Sequence, residues 1–179
     1  MTGSADAATT MKIGRVTSQP IGHYEFCQQV PAECRANGSD TTADKLTQAS
    51  WKALLEINAR VNTMIAPRTD IEMWGREEIW SYPVKFGDCE DYVLLKRHEL
   101  IEAGFKPGNL LITVVMQPNG DGHAVLTVRT DHGDFILDNL VGAVLDWRDT
   151  RYRYLKRQST ANAGKWVDII DERSSVAQN

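Results

Sequence analysis

The stretch LLITVVMQPNGDGHAVLTVRTDHGDFILD, residues 110–138, decides the fold. It contains three runs rich in β-branched and apolar residues, 110–116, 123–129 and 134–138, separated by PNGDG and TDHG, which are turn chemistry. The spacing predicts three strands in a mostly antiparallel sheet, and WVDII at 166–170 predicts one more short strand. Immediately upstream, GDCEDYVLLKRHEL (87–100) predicts a helix running from Asp88 to near Gly104. Gly87 breaks what precedes it, Asp88 can cap, and Asp91 stands three residues on in a capping-box position. From Thr42 to Ala66, residues Leu46, Leu54, Ile57, Val61, Met64 and Ile65 follow helical spacing until Pro67 stops the run. Helix, helix and then a series of strands is an α+β class.

The remaining segments are less regular. Residues 1–40 contain Gly14, Pro20, Gly22, Pro31 and Gly38 without sustained periodicity and read as an irregular N-terminal arm over a domain at 41–179. Residues 68–87, with Trp74, Trp80, Tyr82 and Pro83, read as a packed aromatic-rich connection. Arg148 to Arg157, basic with Tyr152 and Tyr154 interleaved, is a candidate for polyanion binding, but a solvated or edge strand guarded by its charges is the better reading.

Composition narrows the function. A chain of 179 residues, 42% hydrophobic, can bury one good core, so a single domain is expected. A net charge of −4 excludes the whole-molecule basic field that drives unspecific nucleic-acid binding. Apolar runs such as Leu110 to Met116 fall far short of the ~20 residues of a membrane-spanning helix, and the expectation is a soluble protein without a span. Residues 1–11 carry neither a basic n-region nor an apolar h-region, so no secretion signal is read within this sequence. Of the three cysteines, Cys27 and Cys34 are seven apart and Cys89 stands alone, and the simplest partition is one local pair and one free thiol.

Cys89 sits in the first turn of a helix, where unpaired N–H groups and the dipole favour a thiolate, although a cysteine is often merely a small buried hydrophobe. His123 opens one strand and Asp138 closes the next. With an even loop such as Thr130 to Gly133 they share a face, Asp138 lying opposite Val125 and diagonal to His123 within about 7–8 Å, a gap that twist or a bulge can close. Thiol, imidazole and orienting carboxylate are the parts of a nucleophilic acyl-transfer site. His23, His98 and His132 fit that role less well. Asp88, Glu90 and Asp91 surround Cys89 with a field that disfavours a thiolate. They are either helix-capping acids or ligands of a hard cation such as Ca²⁺, which takes roughly 6–8 oxygens. No His/Cys group has zinc spacing.

GDCEDY (87–92), GHAVLTV (122–128) and ILDN (136–139), in that order, resemble the bacterial transglutaminase-like cysteine proteinases, the family of the LapG-like periplasmic proteases. FCxxxPxEC (26–34), VN (61–62), WSYP (80–83), KRQS (156–159) and Trp166 extend the resemblance from about Cys27 to Trp166. It implies a papain-like or transglutaminase-like core, with a cysteine-bearing helix packed on an antiparallel sheet. It further implies Cys89 as nucleophile, His123 as general base and Asp138 as its orienter. Asp88 and Glu90, with Asp91, become Ca²⁺ ligands, and no organic cofactor is implied. The implied partners are a protein or peptide substrate, such as a surface adhesin, and an inner-membrane receptor for a cyclic dinucleotide. The implied home is the periplasm, with any signal peptide already removed. Two alternatives remain open: an amide-forming transferase on the same constellation, and a catalytically silent peptide-binding module of the same fold.

Overall fold

The computed structural model describes residues 9–175, so residues 1–8 of the expected arm, and most of the segment read for a secretion signal, lie outside the described residues. The elements run β1 (Ile13–Thr17), α1 (Ile21–Gln29), a 3₁₀ turn (Pro31–Cys34), α2 (Gln48–Met64), β2 (Ala66–Pro67), α3 (Asp70–Trp74), β3 (Phe86–Gly87), α4 (Cys89–Glu102), β4 (Leu110–Met116), β5 (Gly122–Thr130), β6 (Gly133–Leu137), β7 (Leu145–Asp146), β8 (Arg153–Gln158) and β9 (Trp166–Ile169), with further short 3₁₀ turns. Seven strands form one sheet in the order β1-β9-β8-β4-β5-β6-β7, and all of its ladders are antiparallel. This is the expected α+β arrangement of a cysteine-bearing helix on an antiparallel sheet.

Side-chain alternation along the strands makes two apolar layers. Leu110, Ile112, Ala124, Leu126 and Val128 pack with Leu54, Ile57 and Val61 of α2 and Tyr92, Val93 and Leu100 of α4. Val115, Val125 and Ile136 join Met11, Trp147, Tyr152, Tyr154 and Ile169 in a second cluster. Leu54, Leu100, Leu110 and Leu126 are completely buried, each worth about 1.5–3 kcal/mol relative to exposure.

α2 begins later than the periodicity suggests, because Thr47 and Ser50 close a reciprocal capping box that fixes its first turn. At its end Ile65 leaves the helix, and Ala66–Pro67 pair in parallel with Phe86–Gly87. This small ribbon joins the end of α2 to the start of α4, and the Tyr92 hydroxyl donates to the Ile65 carbonyl at 2.5 Å to tie the two helices.

Three local expectations are corrected. The segment read as an irregular arm contains β1, an exposed strand on the sheet edge, and α1. α1 has no apolar stripe to announce it. It is held instead by the Cys27–Cys34 disulfide and by buried His23 and Phe26. The basic stretch before Gln158 is not an edge strand: β8 lies between β9 and β4. Arg157 is buried and paired with Asp134 at 3.2 Å, Lys156 donates to the Ser18 carbonyl at 2.8 Å, Tyr154 is buried, and Arg151 and Arg153 are solvent-exposed. The carboxylates at the start of α4 do not cap it. Asp88 occupies the N-cap position without a side-chain cap bond, and Asp91 instead accepts from the Ser81 N–H at 2.8 Å.

His23 lies between Trp80 and Trp166, with ring centroids at 5.2 and 5.3 Å, and its Nδ1 accepts from Trp166 Nε1 at 3.2 Å. Burial, aided by the Arg97 charge, pulls its pKa from 6.5 down to about 4. The folded value lies below the unfolded one, so stability is intact above pH 6.5 and is lost as pH falls from there toward 4, by about 3 kcal/mol. Urea unfolding at stepped pH should show this loss in the wild type and a smaller one in His23→Gln. At Gly87, a Cβ would stand 2.8 Å from Asp91 Cβ and 3.1 Å from Pro83 Cβ. Gly87→Ala should cost about 1–3 kcal/mol by overpacking, measured by the same unfolding assay.

Candidate active site

Cys89 is the first residue of α4, the single free cysteine among the described residues, and half-buried. Its Sγ donates to Glu90 Oε2 at 2.8 Å, and the Ala124 N–H of β5 donates to the sulfur. Helix start and strand start therefore meet at the thiol. Cys89 and His123 line one cleft of about 440 Å³, together with Pro20, Glu78, Trp80 and Lys156.

The β5–β6 hairpin supplies the other two expected residues. Thr130 pairs with Gly133 and Leu126 with Leu137, an even register that places Asp138 one step beyond Leu137, opposite Val125. The diagonal gap is closed: His123 Nε2 and Asp138 Oδ1 are hydrogen-bonded at 2.8 Å, both side chains buried. Asp138 Oδ1 also accepts from the Leu140 N–H at 3.0 Å, and Oδ2 accepts from the Tyr152 hydroxyl. Burial alone would raise the Asp138 carboxyl, but His123, Tyr152 and the Leu140 N–H outweigh it and hold it below the usual carboxylate range. On the far side, Asn62 Nδ2 donates to the Asp138 carbonyl at 2.8 Å and Asn58 Nδ2 to the Gly142 carbonyl at 3.0 Å, so α2 fixes the loop that carries the carboxylate.

The acids beside the thiol are sorted by the fold. Carboxylate oxygens of Asp70, Asp88 and Glu90 lie within 4.8 Å of one another. Asp91 is not in that trio. Its Oδ1 serves Ser81, and its pKa is raised to about 7, by burial first and then by the charges of Asp70 and Glu90. Burial and the neighbouring acids raise Asp88 to about 8 and push Glu90 upward, and burial raises Asp70 against the lowering effect of the Ile79 N–H, Arg76 and Asp88. Asp70 Oδ1 and Asp88 Oδ1 are buried without a hydrogen-bond partner among the described residues. Oxygen donors that are clustered, buried and unsatisfied fit a hard divalent cation. Burial and the Glu90 charge also push the Cys89 thiol well above its ordinary range, against the expectation from its place at a helix start. The other grouping of ligand atoms, His23 with Cys27 and Cys34, has both sulfurs committed to the disulfide.

Two residues of the site escape sequence reading. Asp70 sits within TDIE (69–72), a capping box that marks the start of α3 and could have placed a carboxylate there. Tyr152 belongs to the basic-aromatic alternation that reads as a surface strand.

The sequence profile of the bacterial transglutaminase-like cysteine proteinases (BTLCP) matches residues 13–174. No curated protein matches the chain. Among solved structures, calcium-bound LapG of Legionella pneumophila aligns at 23% identity with a TM-score of 0.57, covering 69% of this chain and 71% of that one. A second LapG structure aligns at 21% identity and 0.57, and an EGTA-treated one at 20% and 0.56, each covering 88% of this chain and 86% of the other. At these identities the likeness establishes the fold, and the profile, spanning nearly the whole sequence, establishes the family: the chain belongs to the bacterial transglutaminase-like cysteine proteinases.

Proposed function

We propose that this protein is a cysteine endopeptidase in which Cys89 is the nucleophile, His123 the general base and acid, and Asp138 the residue that orients His123. The observation that carries the reading is the buried 2.8 Å bond between Asp138 and Nε2 of His123, an imidazole that lines one cleft with Cys89. With Nε2 engaged, Nδ1 is the ring nitrogen left to exchange a proton with the thiol and the leaving amine. The Cys89 sulfur attacks the peptide carbonyl, and the carbonyl oxygen takes up the negative charge near the Cys89 N–H, which has no partner within the helix. Collapse breaks the C–N bond, His123 delivers its proton to the amine, and a thioester remains. Water, deprotonated by His123, then releases the acid and restores the thiol.

Ca²⁺ fits the oxygen cluster, with Asp70, Asp88 and Glu90 as the residues that would hold it. Asp91, expected among the ligands, stands beside them on Ser81. When bound, Ca²⁺ would neutralise the acids whose field holds the Cys89 thiol protonated. The calcium-bound and EGTA-treated forms of LapG support this reading. The family supports a protein or peptide substrate in the periplasm, such as a surface adhesin, and control by an inner-membrane receptor. Among the described residues no helix is long and apolar enough to cross a membrane.

Cys89→Ala should abolish cleavage of a cell-surface proteome, read as the loss of new N-termini, while leaving the fold intact. Retained cleavage would end the endopeptidase reading, and cross-linked products instead of new N-termini would reassign the chemistry to amide transfer. Asp70→Asn, which keeps an acceptor for the Ile79 N–H, should weaken Ca²⁺ binding at least about tenfold by calorimetry. A calcium chelator should slow alkylation of Cys89 by iodoacetamide. If neither changes, the acids do not hold calcium.

A further inference from the structure

Asp138 has two carboxylate oxygens, and one of them carries most of the load. Oδ1 accepts from both His123 Nε2 and the Leu140 N–H, whereas Oδ2 accepts from the Tyr152 hydroxyl. Rotation about the Cβ–Cγ bond of an aspartate is broad and roughly two-fold. Without a donor on Oδ2 the carboxylate can pivot, and the imidazole hydrogen-bonded to it pivots too. The Tyr152 ring centroid lies 5.5 Å from that of His123, at 52°, so the ring also bounds the imidazole on one side.

Tyr152 lies ahead of β8, at the end of a strap, residues 147–152, that begins after β7. The strap is gripped from the C-terminal turn by Arg173. Its Nη1 donates to the carbonyls of Trp147, Arg148 and Thr150 at 2.8, 3.3 and 3.3 Å, and its Nη2 to that of Tyr152 at 2.7 Å. The guanidinium is aimed by Asp171, at 2.8 Å, and lies over Trp147 and Tyr154 at 4.6 and 5.0 Å. A guanidinium presents its N–H groups in a rigid planar fork that an ammonium cannot reproduce.

We propose that Tyr152 is a positioning residue for the Cys89–His123–Asp138 reaction and that Arg173, remote from the cleft, acts through it by fixing the strap. The inference rests on the endopeptidase reading above. During acylation and deacylation His123 takes and returns a proton, and its Nε2–H must stay on Asp138 Oδ1 throughout. Tyr152 keeps that acceptor in place by occupying the opposite oxygen.

The test uses the full chain with saturating Ca²⁺ and a peptide containing a cleavage site mapped from the new N-termini. Tyr152→Phe removes only the hydroxyl. It should lower kcat about tenfold and leave KM within about twofold. Arg173→Gln should lower kcat in the same direction, and the double variant should be no slower than Tyr152→Phe alone, because both changes act on one element. Wild-type kcat in Tyr152→Phe would overturn the inference, as would a raised KM with unchanged kcat. Effects that multiply in the double variant would overturn the link to Arg173. Should Tyr152→Phe fail to fold, Arg173→Lys carries the test: a reduced kcat with faster solvent exchange of the His123 Nε2 proton supports the strap, and unchanged values refute it. Cys89→Ala, assayed in parallel, separates the two levels. If it retains turnover, the endopeptidase reading fails; if it is inactive while Tyr152→Phe is normal, only the positioning role fails.

Discussion

α4 must lie against β5 with its first turn at the strand's beginning, and the rest of the site depends on that contact. The helix buries most of its circumference, with Tyr92, Val93, Leu94 and Leu100 in the core and Arg97 paired with Glu33 at 2.9 Å. It has no freedom to slide without exposing apolar surface or breaking buried pairs. The contact brings the sulfur of Cys89 to the Ala124 N–H, one residue from His123. The imidazole shares its strand parity with Val125, which packs in the second apolar layer. Cys89 and His123 therefore come from different layers, and both can line one cleft because His123 stands near the end of its strand.

Burying so much charge near one cleft needs specific compensation. Arg157 is matched to Asp134, and Asp138 is surrounded by donors. Lys96 is the exception on the cationic side. It is completely buried, its amine has no hydrogen-bond partner among the described residues, and burial draws its pKa down to about 7 with the Asp138 charge opposing. The acidic exception is the trio Asp70, Asp88 and Glu90. Uncompensated groups of this kind cost stability in isolation, and the acidic trio lies beside Cys89 while the Asp138 charge reaches Lys96.

What the sequence made legible follows from how local each signal is. β4 to β6 could be read nearly to the residue, because β-branched runs and turn residues lie side by side in the chain. The even TDHG connection then implied that His123 and Asp138 share a face, as the ladder has them. The Cys27–Cys34 pair was legible by simple proximity. α1 was not, since it has no apolar periodicity and is stabilised by a covalent link and by tertiary contacts. The acids of α4 read as caps by position, but Asp91 is drawn to Ser81 and Asp88 toward Asp70, partners no local pattern can supply. Arg151 and Arg153 are exposed as a solvated strand requires, but Tyr152 and the interior place of β8 were missed because the buried tyrosines and Arg157, paired with Asp134 across the fold, look like the same exposed alternation in one dimension.

The topology also sets an order of assembly. Cys89, His123 and Asp138 lie in one continuous run, residues 89–138, within which β4 pairs with β5 and β5 with β6, neighbours in the chain joined by short loops. β1 and β9, by contrast, pair Ile13 with Ile169, from opposite ends of the molecule, and Arg173 follows β9. Loop-closure entropy and contact order favour early formation of the first group and late docking of the second. The nascent hairpins would thus hold Cys89, His123 and Asp138 near one another before the termini zip together, and the molecule would gain its final alignment only as the last residues are laid down.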